Sequence, residues 1–513
     1  MKKILQSILL FLVISSKLLA EGYRIPYTDY RRSTGGFWDE HDQWDPHGVP
    51  SHELHRAFLI NTEANPLHLS QRGKQYTIHT LSVSGNAWNL SNGNLRFPHP
   101  SRGGLCVVKY DGTQTLIFGT SLTFDFSTDL MINHENGTVR LQGEVTGRGL
   151  LSKRGSGTLL IEAPFSCGLE LAGGTTGIAP DSLSGKLSIN ISSKLFALNG
   201  DLTLPTRLIL FSNLDIIDNP DDPTPYSITL KGGCSGEGTL DHHSHGDLIF
   251  EGTDYFEGTI KTYAGYGRVV LNGDTAADIK MYGSEIAGKG RTRGDLTARN
   301  SAIISPGDKN EVGTLTFKDV DLDPSTILNF KFGSEGYNDR IDVNGNLTLR
   351  GTLNIKALDR FGAGTYTLFT YRSWDKNLGN FKIGTVPEKY DREKFGFDFY
   401  VQTTFPGKIN LLVPDPDPKP NPDPKPKPKP RVPKPRPPRD PFFTFNFWDG
   451  DRTIADGTIL GGSGVWNNTN KTWSNVDGFS KKAWNGYRAV FGGDAGIVDV
   501  QENVSFRNNR VHR

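Results

Sequence analysis

The segment 147–162, GRGLLSKRGSGTLLIE, returns in register as 236–251, GEGTLDHHSHGDLIFE. Gly147, Gly149, Leu151, Gly157, Leu159 and Ile161 match Gly236, Gly238, Leu240, Gly246, Leu248 and Phe250, while the residues between them drift. Apolar positions two apart share one face of a strand, and glycines mark places where the chain turns or passes close to other backbone. Leu159 with Ile161, and Leu248 with Phe250, are therefore expected in the core. A chain that repeats such a unit buries its apolar face by stacking copies of it, which predicts an all-β, parallel solenoid.

Composition points the same way. Only 35% of the 513 residues are hydrophobic and 59 are glycine, which argues against a helical protein. Beyond the N-terminus no long stretch keeps apolar residues at i, i+3 and i+4. Lys and Arg number 57 against 56 Asp and Glu, a net charge of +1, so no basic field invites nucleic acid as a partner.

Five regions follow from composition. Lys2 and Lys3 before the apolar run 8–14 make 1–20 a secretory signal peptide, with cleavage expected after Ala20. No later apolar run is long enough to span a bilayer, so the mature chain is expected to have no transmembrane helix. Residues 21–142 form an N-terminal β region. Residues 143–413 carry the repeats, and their clearest alternation is IDVNGNLTLRGTLNIKA. There Ile341, Val343, Leu347, Leu349, Leu353 and Ile355 point inward, Asp342, Thr348, Arg350 and Asn354 point outward, and Gly345 and Gly351 mark corners. In 414–441 half the residues are proline, alternating with Asp, Lys and Arg. That segment is a polyproline II spacer with a reach on the order of 85 Å. At 442–513 Phe447-Trp448-Asp449 echoes Phe37-Trp38-Asp39, so a second β module is expected to start there and to be truncated at Arg513. The cysteines Cys106, Cys167 and Cys234 allow at most one disulfide, and the preferred reading is three buried small hydrophobes.

From 284 to 368 a cadence emerges: Gly288 and Gly290, Gly294-Asp295-Leu296, Ser305-Pro306-Gly307, Gly313-Thr314-Leu315, Asp342 to Leu347, and Gly364 to Leu368. It resembles the autotransporter-associated β-strand repeat proteins and the C-terminal half of autotransporter passenger domains. The resemblance covers 143–413 and returns at 447–500. It implies a right-handed parallel β-helix on a bacterial surface. Its partners would be a host-surface, extracellular-matrix or glycan ligand and an outer-membrane β-barrel translocator. The C-terminal barrel of that family is not in this sequence, and without a translocator the expected location is the periplasm.

Candidate chemistry is sparse. His242, His243 and His245 are of the type that ligates zinc or nickel. Their repeat partners in 152–158 contain no ligand, which reads the run as an exposed corner. Seven of the 12 histidines lie between His41 and His99. His52-Glu53-Leu54-His55 spaces its histidines by three, whereas the zinc-protease helix needs four. Arg293-Gly294-Asp295 is an integrin-type tripeptide that the cadence places at the beginning of a strand. No Gly-x-Ser-x-Gly elbow, Walker loop or dinucleotide fingerprint is present. Trp448, Trp466, Trp473 and Trp484 read as a cap over the second module, with a sugar-binding face as the alternative. The sequence thus predicts a non-enzymatic surface stalk or adhesin with no catalytic residue and no cofactor. The alternatives are a polysaccharide lyase or glycosidase and a His-rich metal-binding surface protein.

Overall fold

The computed structural model describes residues 28–63, 65–99, 105–390, 399–414, 445–486 and 488–504. The expected signal at 1–20 with Ala20, and the proline-rich segment beyond residue 414, lie outside the described residues. Regular structure in the described residues is strand, apart from two short 3-10 turns at His41–Gln43 and Glu388–Tyr390. The chain divides into two compact units, one reaching residue 187 with 191–193, the other 188–190 with 194 onward.

In the first unit each strand lies in parallel register on the strand one coil further along. Ala57, Leu81, Val108, Leu130, Lys153 and Leu171 form one such column. Leu69, Leu90, Phe118, Leu141, Ile161 and Ile178 form another. Every member of both columns is buried. The cause is local alternation: in Cys106–Tyr110 the first, third and fifth residues are buried and the two between them are not. Stacking repeats that pattern until the inner face is closed, at roughly 1.5–3 kcal/mol for each large apolar side chain removed from water.

The N-terminal edge of this unit is covered. Arg31 and Asp45 exchange backbone hydrogen bonds of 2.8 and 2.9 Å. Beneath them Trp38 and Trp44 pack edge to face at 5.1 Å. The buried Arg32 guanidinium donates to the carbonyls of Thr34, Gly35 and Phe37 and pairs with Glu40 at 2.7 Å. A terminal coil needs such a cover, because an open strand edge recruits other chains.

The second unit follows the same rule. One column is Leu214, Leu240, Ile260, Ile279, Leu296, Val320 and Leu347. A second runs through Leu202, Ile228, Leu248, Val269, Ile286, Ile304, Leu328 and Leu353. All are buried, as are Ile341, Val343, Leu349 and Ile355. Gly345 bends the strand Arg340–Thr348 over Asp319 of the coil before, where a Cβ would stand 2.1 Å from that carboxylate. The repeat glycines are equally constrained. Gly147 and Gly236 have φ of +122° and +100°, and a Cβ on either would lie 2.1 Å from a backbone carbonyl of the preceding coil.

Gly351–Ala357 still lies in parallel on Phe381–Ile383, but the topology of the other sheet changes at this coil. Gly364–Trp374 still lies parallel to Arg340–Thr348, but its other edge pairs antiparallel with Lys408–Val413, which in turn pairs antiparallel with Tyr400–Gln402. This returning hairpin covers the coil edge. In 445–504, Phe445–Trp448 pairs in parallel with Arg488–Val490, and Gly464–Trp466 with Val498–Val500. Phe445, Phe447, Ile459 and Val476 pack with Phe405 and Leu412 in one apolar cluster.

Candidate functional site

The histidine run does not form the exposed corner expected of it. It begins inside the strand Thr239–His243, and because side chains alternate, His242 points into the core and is fully buried. Its Nε2–H donates to Gly246 O at 3.0 Å, while Nδ1 has no partner. Burial pushes the imidazole down to about 4, so it is neutral in this environment. The matching position in the first repeat is Lys153, also buried. Its Nζ donates to the carbonyls of Gly155, Gly157 and Gly173 at 2.9, 2.6 and 2.7 Å. Gly157 and Gly246 are themselves repeat partners. The shared task is to satisfy a corner carbonyl that faces inward, because a buried carbonyl without a donor is costly.

His243 and His245 lie outside. The Nδ1–H of His243 donates to Asp215 and that of His245 to Asp218, both at 2.6 Å. Bonds from His245 and from the Ser244 hydroxyl hold the Asp218 carboxyl below its ordinary range against the opposing effect of burial. His243 stacks on Tyr263 at 4.4 Å and 11°, and Tyr263 on Tyr282 at 5.6 Å and 18°. The Tyr263 hydroxyl donates to Asp241 at 2.9 Å. This ladder lies in register along successive coils, with the faces of its middle ring covered by its neighbours. The three histidines therefore do not converge, and among the described residues no group of three His, Cys, Asp or Glu could hold a metal.

Two of the N-terminal histidines, His52 and His55, are also committed. His55 Nδ1 accepts from Ser51 N–H at 3.1 Å and His52 Nδ1 from Leu54 N–H at 3.2 Å. In both rings Nδ1 is thereby occupied and not free to ligate a metal. Burial, with His52 nearby, lowers the pKa of His55. The three cysteines are free and buried, and burial pushes the thiols of Cys106 and Cys167 up to about 12 and about 11. They are inert as nucleophiles.

Arg293-Gly294-Asp295 spans the turn between strands Arg291–Thr292 and Leu296–Arg299. A Cβ on Gly294 would stand 2.2 Å from Ala277 O, and Arg293 donates to Asp254 O at 2.7 Å. The tripeptide is part of the stack rather than a protruding loop. Trp448, Trp466, Trp473 and Trp484 bury one another in a single cluster, with edge-to-face contacts of 4.9–5.2 Å. They do not present a sugar-binding face.

Sequence reasoning missed a cleft of about 810 Å³ beside the returning hairpin, whose lining includes Tyr371, Arg372, Trp374, Gln402 and Phe479. The density of aromatic residues around Tyr371 and Trp374 was the available signal. It lay inside a segment already accounted for as strand.

No protein-family model matches the chain. Over 332 residues it is 26% identical to the adhesin BmaC autotransporter of Brucella suis biovar 1 (strain 1330). The match covers 59% of this chain and 8% of that protein, so the chain spans a small part of its relative's length. Sequence similarity and parallel stacked coils together fit an autotransporter passenger domain. No helix among the described residues is long and apolar enough to cross a membrane, which says nothing of a β-barrel.

Proposed function

We propose that the chain is a non-enzymatic surface passenger of a bacterium, a solenoid stalk that carries adhesive surface away from the cell. The observation that carries this reading is the stack of parallel coils in a chain similar to an autotransporter named as an adhesin. A stack lengthens by adding coils, each contacting only its neighbours, which suits reach rather than an enclosed reaction chamber. The charged groups of the histidine ladder support a structural role. Asp215 and Asp218 are engaged by His243 and His245, and Asp247 by Arg268 at 2.7 Å. Export by the segment 1–20, delivery by a β-barrel translocator and a host-surface or matrix ligand belong to the same proposal.

The test compares adherence of the native bacterium with that of a strain lacking this protein, on immobilised matrix proteins and cultured epithelial cells. The deletion strain should adhere at least several-fold less, with adherence restored by the wild-type gene. Equal adherence on every surface would refute the adhesin assignment.

A further inference from the structure

The strand Gly364–Trp374 outruns the strand that closes it. Lys408–Val413 pairs with it only from Gly364 to Thr370, and the Tyr371 N–H makes a last bond to Gly407 O at 3.0 Å. Arg372 to Trp374 continue past that turn without a partner strand on this side. The facing wall comes from Gly457 and from 476–479. It is fixed by Thr404 Oγ1 donating to Val476 O at 3.1 Å and by the apolar cluster of Phe405, Phe447 and Val476. All of these residues belong to the second unit. The cleft between the walls, about 810 Å³, is within the range of roughly 300–1,000 Å³ usual for ligand sites.

Its lining has a specific chemistry. Aromatic side chains supply much of the apolar surface: Tyr371 and Trp374 lie 5.9 Å apart, inclined at 52°, and Phe479 is 67% exposed. Arg372 and Lys376 are exposed and make no ion pair among the described residues. One carboxylate, Asp477, already accepts from Phe479 N–H at 2.9 Å. Gln402 is 1% exposed; its Oε1 accepts from Asn410 at 3.3 Å, and its Nε2 amide has no partner.

We propose that this cleft binds an acidic oligosaccharide. Ring faces pack against the C–H face of a pyranose, and Arg372 takes a uronate carboxylate through its planar fork. Two cations against one carboxylate favour a charged glycan over a neutral one. The assignment deepens the adhesin reading and rests on it for its biological setting.

The test uses the purified full chain with two probes, a hyaluronan hexasaccharide and the neutral chitin hexasaccharide, in isothermal calorimetry. The acidic probe should bind saturably, at least about tenfold more tightly than the neutral one. Arg372→Ala with Lys376→Ala should remove that preference, and Trp374→Ala should weaken both probes. Both surface cations can be replaced without disturbing the core, so this double variant decides the matter even if Trp374→Ala fails to fold. No binding of the acidic probe, equal binding of the two probes, or an unchanged preference in the double variant would overturn the proposal. Bacteria that adhere equally with native and double-variant protein would sink the cleft while sparing the adhesin reading. Calorimetric binding by a protein whose deletion leaves adherence intact would do the reverse.

Discussion

At the scale of single residues, side-chain direction decides what each position tolerates. Leu347 is buried in a column between Val320 and Trp374, whereas Thr348 beside it faces outward. Leu347→Asp should cost about 3–5 kcal/mol in urea denaturation and Thr348→Asp no more than about 0.5 kcal/mol, and similar losses for both would invalidate the register. That direction was readable from alternation. The direction of His242 was readable too, since Leu240 is inward and the strand period is two, but comparison with a repeat rich in Ser and Gly drew the run toward a corner. The buried imidazole has a consequence for pH. In the native state it stays neutral down to about 4, whereas the unfolded chain takes up the proton near 6.5. Between those values the unfolded state binds more protons, so stability falls as pH falls, by up to about 3 kcal/mol. The loss measured for wild type minus that for His242→Gln isolates this effect. It also removes the contribution of Asp339, whose carboxyl burial pushes up to about 6 and which acts with the opposite sign. A difference that stays flat from pH 6.5 to 4 would mean that His242 is not buried as a neutral ring.

At the scale of elements, the parallel coils were legible because each strand carries its own alternation and its own glycine punctuation. Where two or more elements distant in sequence meet, the sequence was mute. Pairing of Lys408–Val413 antiparallel to Gly364–Trp374 changes the rule of stacking at one place, and no local pattern announces it. The cleft was invisible for the same reason, since its walls come from three separate stretches of chain. The returning hairpin covers an edge that would otherwise pair with other molecules. Leu411, fully buried on that strand, is its anchor. Leu411→Asp should lower stability by about 3 kcal/mol and produce concentration-dependent association in light scattering. A variant that remains monomeric with unchanged stability would show that the hairpin does not guard the edge.

For the whole molecule, the proposed role joins stacked coils to display outside the cell. Coils held by neighbour contacts and in-register columns resist proteolysis, and the proline-rich sequence of 414–441 is expected to give a protease its easiest access. The most direct measurement is external proteolysis of intact bacteria producing the native protein, using proteinase K and antibodies raised against residues 28–414. If the proposed role is right, a large resistant fragment, ending between Val413 and Phe445, is released from cells whose envelope stays sealed. Protein that is cut only after the envelope is permeabilised, or that is digested to small peptides at once, would contradict it.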